Sequence, residues 1–189
     1  GRGGFGEVFR GEHRVSGEKV AVKRIKCKIC EGRCIHGYSK YVCRERDALI
    51  QLRHPNVVQF IACQEIDTIW YYVIELCECN LDEQFKNADD KISTRECLRY
   101  MLNMANGVKY LHEVKHNNGT GILHRDLKPV NVLLKENTAK IADFGLARPM
   151  REKMGSESSS SLSKGVGTLF GQAPEIHDKY NFAADIFKS

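Results

Sequence analysis

Ile122-Leu123-His124-Arg125-Asp126-Leu127-Lys128-Pro129-Val130-Asn131-Val132-Leu133-Leu134 is the stretch on which the reading turns. Its charged and polar residues lie between two apolar ends, Ile122-Leu123 and Val132-Leu133-Leu134. That pattern predicts a loop pinned on both sides by buried, strand-like anchors, with its polar groups turned toward one cleft. Asp126 is a candidate base, Lys128 a cation two residues on, and Asn131 a neutral oxygen ligand five residues on. A base, a positive charge and a metal-ligating amide on one short loop suit phosphoryl transfer, where catalysis is chiefly positioning and charge neutralisation. His124-Arg125-Asp126 alone would read as a solvated turn. The apolar flanks, Lys128, Asn131 and then Asp143-Phe144-Gly145, twelve residues beyond Asn131, displace that reading.

Further from this loop, Gly1-Arg2-Gly3-Gly4-Phe5-Gly6-Glu7-Val8 fits G-x-G-x-x-G-x-V. By itself the glycine pattern also suits a dinucleotide-binding turn, which requires a helix after the glycines. Here Glu7 to Gly11, Val15 to Glu18 and Val20 to Ile25 read instead as strand, turn and strand, so the glycines sit in a hairpin. Missing side chains there let backbone N–H groups approach phosphates. Lys23 closes the alternation of Val20-Ala21-Val22-Lys23. Val42 to Leu52 has helical apolar spacing and carries Glu45, nine residues before His54-Pro55-Asn56-Val57-Val58. Phe60 to Cys63 and Ile69 to Ile74 read as two more strands.

Ser93-Thr94-Arg95-Glu96 is a capping-box pattern ahead of an amphipathic run from Cys97 to His112. Leu98, Met101, Leu102, Ala105, Val108 and Leu111 are its expected core face, and Glu113 to Gly121 is expected to be a loop. Ser156, Ser158, Ser159, Ser160, Ser161 and Ser163 fall in a Gly- and Lys-containing stretch unsuited to a packed core. Beyond it stand Gly167-Thr168 and Ala173-Pro174-Glu175.

Together these motifs, running from Gly1 to Phe187, resemble the catalytic domain of eukaryotic serine/threonine protein kinases. The resemblance implies an α+β, two-lobed fold: a small β-rich lobe over residues 1–76, a hinge at 77–80, and an incomplete, mainly helical lobe over 81–189. It implies ATP and Mg²⁺ as cofactors and a protein as substrate. Asp126, Lys128, Lys23 and Glu45 are then the catalytic set, with Glu45 holding Lys23 against the α- and β-phosphates. Gly1, Gly3, Gly6, Val8, Ala21, Lys23, Glu75, Cys77 and Leu133 surround the nucleotide, the hinge offering backbone groups to adenine, with Ile74 guarding the pocket behind. Asn131 and Asp143 hold the metal ions. Phe144, His124, Leu49 and Phe60 form an internal column between the lobes. Arg125, the serine cluster from Ser156 to Ser163 and Thr168 are the regulatory set, in which phosphate on the loop pairs with the arginine.

Within the family, Val20 to Ile25, His54 to Val58 and Ile74 to Cys77 look most like the unfolded-protein-response sensor kinase/endoribonuclease. That likeness implies a ribonuclease module and a membrane span outside this stretch, and a homodimer as a partner. RNA would be met only through such a module, and DNA is not expected. Both ends read as interrupted, as in a fragment of a longer protein. The rival reading is an ATP-binding scaffold whose nucleotide occupancy governs dimerisation or an attached module.

Composition agrees with these expectations. The 189 residues, 42% hydrophobic and 28% charged, can bury a sizeable core. The net charge of +5, from 29 basic and 24 acidic residues, is mild and dispersed, which argues against a nucleic-acid-binding patch. No apolar run approaches the ~20 residues of a membrane span. The expected location is the cytoplasm, or the cytosolic face of a membrane protein. Eight cysteines in a long, core-rich chain predict free thiols rather than a disulfide framework. Cys27, Cys30, Cys34 and His36 include zinc-ligand types, but one compact run is not the usual paired arrangement, so a reduced loop is favoured over Zn²⁺.

Overall fold

The computed structural model describes residues 2–3, 6–26, 29–30, 33–34, 50–67, 69–87, 92–116 and 119–149. Strands β1 (Arg2–Gly3), β2 (Gly6–Glu12), β3 (Lys19–Lys26), β6 (Phe60–Ile66) and β7 (Ile69–Glu75) form one five-stranded sheet in the order β1-β2-β3-β7-β6. All its pairings are antiparallel. Alternating β-branched residues suit the central strand β3, whose register sets Val8 and Tyr72 on either side of Lys23. Gly3 pairs with Gly6, so the glycine motif is a hairpin and not a strand–helix turn. A short pair, β4 (Ile29–Cys30) with β5 (Arg33–Cys34), follows β3. Cys27, His36 and the segment with Glu45 and Leu49 lie outside the described residues.

The second half begins with β8 (Cys79–Asn80) and α1 (Leu81–Asn87), then α2 (Thr94–Glu113). α2 starts at the expected capping box: Ser93 accepts from the Glu96 N–H, and Glu96 reaches back to the Ser93 N–H at 3.1 Å. The expected core face is corrected in part. Val108 and Leu111 are buried, together with Tyr100 and Gly107. Leu98, Met101 and Leu102, however, are 60–65% exposed, and Ala105 is exposed too. The cause is the neighbour. α2 lies on a two-stranded hairpin, β12 (Val132–Lys135) with β13 (Thr138–Ile141). The contact row runs through Tyr100, Asn103, Gly107, Val108 and Leu111, a stripe nearly half a turn away from the Leu98 row. Gly107 is needed there, because a Cβ would lie 2.7 Å from the Asn56 carbonyl oxygen and 2.9 Å from Ile141 Cδ1.

Glu113 to Gly121 is not simply a loop, since β9 (Lys115–His116) pairs with β10 (Gly119–Thr120). The predicted anchors of the central loop are present: β11 (Ile122–Leu123) precedes it, paired with β14 (Arg148–Pro149), and β12 follows it. One cluster of buried side chains, including Ile25, Phe60, Tyr72, Leu111, Ile122 and Phe144, runs from the sheet through to this loop. Segment 54–58 stitches the halves together: the Val58 N–H donates to the Ile141 carbonyl at 2.9 Å, and the Ile141 N–H donates to the Asn56 carbonyl at 2.9 Å. Cys63, Cys77, Cys79 and Cys97 are free thiols. No helix among the described residues is long and apolar enough to cross a membrane.

Candidate active site

Loop 124–131 is held from within. His124, fully buried, accepts the Asp126 N–H on Nδ1 at 3.3 Å, and its Nε2 lies 2.9 Å from the Ala142 carbonyl. Since Nδ1 is an acceptor, Nε2 carries the proton and donates to Ala142, tying the loop to the segment that leads into Asp143. The Phe144 ring meets His124 edge-on at 5.0 Å, and Phe60 shares their core cluster. Three of the four residues of the predicted column are therefore packed between sheet and loop, and Leu49 lies outside the described residues. Arg125 takes a left-handed φ of 70°, which turns the chain so that Asp126 follows.

Asp126 is buried, and two groups grip one oxygen of its carboxylate. Lys128 Nζ lies 2.8 Å from Oδ2, and Asn131 Nδ2 donates to the same atom at 3.1 Å and to the Asp126 carbonyl at 2.8 Å. A 3₁₀ turn over Pro129–Asn131 brings the amide back onto Asp126. With Nδ2 committed there, the remaining polar atom of the Asn131 amide is Oδ1, a hard oxygen donor. The Asn131 carbonyl accepts the Ala142 N–H at 2.9 Å, so Asp143 stands one residue beyond its bonded neighbour.

Asp143 takes a left-handed φ of 64°, and its Oδ1 accepts from Lys23 Nζ at 3.0 Å across 120 residues of sequence. Burial pushes this carboxyl up, but the Lys23 charge and hydrogen bond, with the Gly145 N–H, outweigh it and hold the carboxyl below its ordinary value. Sheet and loop thus meet through a cation from β3 and a carboxylate from beyond β13. Lys23 was expected to meet Glu45, which lies outside the described residues, and the contact with Asp143 went unforeseen. A lysine ammonium, a carboxylate and an amide oxygen on neighbouring elements are the donor types that a metal–nucleotide site uses. Among the described residues no three His, Cys, Asp or Glu side chains are grouped to hold a metal. The Asp143 and Asn131 oxygens therefore fit a hard divalent cation only when phosphate and water oxygens complete its roughly six ligands.

The other end of the cleft is apolar. Ala21 is buried and in register with Ile74, Val8 is 39% exposed on the neighbouring strand, and Leu133 packs half-buried on the main core. Residues 76–78 connect the sheet to β8, and the Glu78 N–H donates to the Leu134 carbonyl at 2.9 Å. Burial, then the Glu75 charge, pushes the Cys77 thiol up to about 11, so it stays protonated.

Comparison with known proteins agrees with this geometry: the protein kinase domain matches residues 1–188. The chain belongs to the protein kinase domain family. Cyclin-dependent kinase F-3 of Oryza sativa subsp. japonica is 36% identical over 177 residues, 93% of this chain and 37% of that protein. Cyclin-dependent kinase 9 of Danio rerio is 35% identical over 187 residues, covering 93% of this chain and 47% of its own length; the Homo sapiens protein is 35% identical over 185. The chain thus spans less than half the length of these curated relatives. Of the predicted site residues, the kinase fold brings Lys23, Asp126, Lys128, Asn131 and Asp143 into bonded pairs. Gly3 and Gly6 are described as backbone only, whereas Gly1, Glu45, the serine cluster and Thr168 fall outside the described residues. Sequence reasoning missed the lysines Lys135 and Lys140, which converge on Glu75. Their only signal was two positive charges on adjacent strands, which charge counting does not distinguish from a solvated face.

Proposed function

We propose that the protein transfers the γ-phosphoryl group of ATP to serine or threonine hydroxyls of a protein substrate. The observation that carries this is the pair of linked contacts, Lys128 and Asn131 on Asp126, and Lys23 on Asp143. Mg²⁺ with ATP would supply the phosphoryl group and neutralise charge on its oxygens. Asp126 orients the substrate hydroxyl and receives its proton as the oxygen attacks the γ-phosphorus and the bond to the bridging oxygen of the departing ADP breaks. Lys128 offsets charge on the moving group, Lys23 holds the α- and β-phosphates, and Asn131 with Asp143 gives metal-ligating oxygens. Glu75 and Cys77 offer main-chain groups to the base, between Val8 and Ala21 above and Leu133 below. Lys128 together with Thr168 supports serine/threonine over tyrosine acceptors.

Phosphorylation within Ser156 to Ser163, read through Arg125, is the proposed control, and the cytosol the proposed location. The finer likeness to the unfolded-protein-response sensor rests on its three short segments; the relatives quoted are cyclin-dependent kinases by name and do not carry it. A homodimer, an attached RNA-cleaving module and the scaffold reading belong with that finer proposal. The test is incubation of the full-length protein with a peptide mixture and γ-labelled Mg-ATP. Asp126→Asn is expected to lose transfer by about 10²–10⁴-fold while keeping ATP affinity. Transfer at the wild-type rate in that variant would overturn the assignment.

A further inference from the structure

Glu75 has a buried carboxylate for which phosphoryl transfer provides no task. Its Oε1 accepts the Gln59 N–H at 2.7 Å and lies 3.0 Å from Lys140 Nζ, while Oε2 accepts from Lys135 Nζ at 3.2 Å. The main chain doubles the link to Gln59, since the Glu75 N–H donates to the Gln59 carbonyl at 3.0 Å. Burial pushes the carboxyl up, but the Gln59 N–H, Lys140 and Lys135 together hold it below its ordinary value. We propose that the Glu75 side chain is a positioning residue that sets the spacing between the base end and the phosphate end of the cleft, a role that rests on the kinase reading.

The argument is topological. Glu75 is the last residue of β7, immediately before the 76–78 connection that faces the nucleotide base. Lys135 ends β12 four residues after Asn131, and Lys140 lies on β13 three residues before Asp143. One carboxylate therefore joins the end of the sheet to both strands of the hairpin whose open end leads to the proposed metal ligands, at the turn end through Lys135 and near the open end through Lys140. The covalent connection from the sheet to β8, the strand that pairs with β12, is three residues long and has many backbone torsions of its own. The charged link crosses the same gap at two points. Lys140 and Glu75 have side chains only 13% and 6% exposed, so removing the carboxylate leaves two ammonium groups close together and one of them out of water.

The test is steady-state kinetics of the full-length protein with ATP varied. Glu75→Gln keeps the shape and removes the charge. Its KM for ATP is expected to rise about tenfold, as for coupled charged contacts, with kcat within about twofold. Lys135→Met, at a lysine whose side chain is 34% exposed, is expected to raise KM in the same direction by about threefold. The double variant is expected to be no worse than Glu75→Gln alone. Variants that melt at lower temperature with KM for ATP unmoved would mark an ordinary structural ion pair and overturn the inference. Absence of transfer in the wild type would instead overturn the kinase reading beneath it.

Discussion

Lys128 and Asn131 hold the same oxygen of Asp126, so the carboxylate cannot rotate without breaking both contacts. Removing the lysine leaves the amide in place, and the loss is then one of charge and of alignment. Lys128→Ala is expected to lower kcat by about 10²-fold or more with KM for ATP little changed. Lys23→Ala should instead raise KM for ATP, because the proposed role of its ammonium is to hold the nucleotide phosphates. An equal loss in both constants for both variants would contradict the division of roles. Acid is a further probe of single groups. Asp143 and Glu75 have lowered carboxyl values, so the stability they add is complete above the ordinary values of 3.8 and 4.5 and is lost as pH falls through the folded ones. His54, lowered by burial and then by Lys140, acts in the same direction below pH 6.5. The melting temperature should therefore drop steeply below about pH 4.5, and less steeply in Glu75→Gln. Parallel curves for the two proteins would count against a charged Glu75 in the fold.

Helix α2 shows what local sequence conveys and what it leaves open. Its start needed only Ser93 and Glu96, because a capping box is a contact between residues three apart. Its buried face needed the partner: Leu98, Met101 and Leu102 have the right spacing and yet are exposed, whereas Gly107 packs against the Asn56 carbonyl. Spacing yields a stripe, and only the neighbour decides which stripe is covered. The same limit separates Lys23 from Asp143, which no pattern over a few residues could pair. By contrast, the loop from His124 to Asn131 was readable because its bonds are short-range: Asp126 to His124, and Asn131 to Asp126. Two substitutions measure these contacts. Gly107→Ala should destabilise the protein by about 1–3 kcal/mol through overpacking, despite its better helix propensity. Ser93→Ala should cost about 1 kcal/mol. Chemical denaturation reads both, and a stabilised Gly107→Ala would show that α2 and segment 54–58 are not in contact.

The described residues form a sheet and a helix-backed hairpin sharing one core, with the charged contacts placed where the two meet. Lys23–Asp143 links sheet and hairpin at the proposed phosphate end and Glu75–Lys135–Lys140 at the proposed base end. Between them lie the apolar surfaces of Ala21, Ile74 and Leu133. On the proposed function, a magnesium nucleotide would span the cleft, with the faces of its base on the apolar side chains and its phosphates at Lys23. The most direct measurement is titration of the folded, full-length protein with ATP, with and without Mg²⁺. Binding tighter than millimolar, strengthened by the metal in the wild type and indifferent to it in Asp143→Asn, is the predicted result. No ATP affinity at millimolar concentration, in a protein shown to be folded, would contradict it.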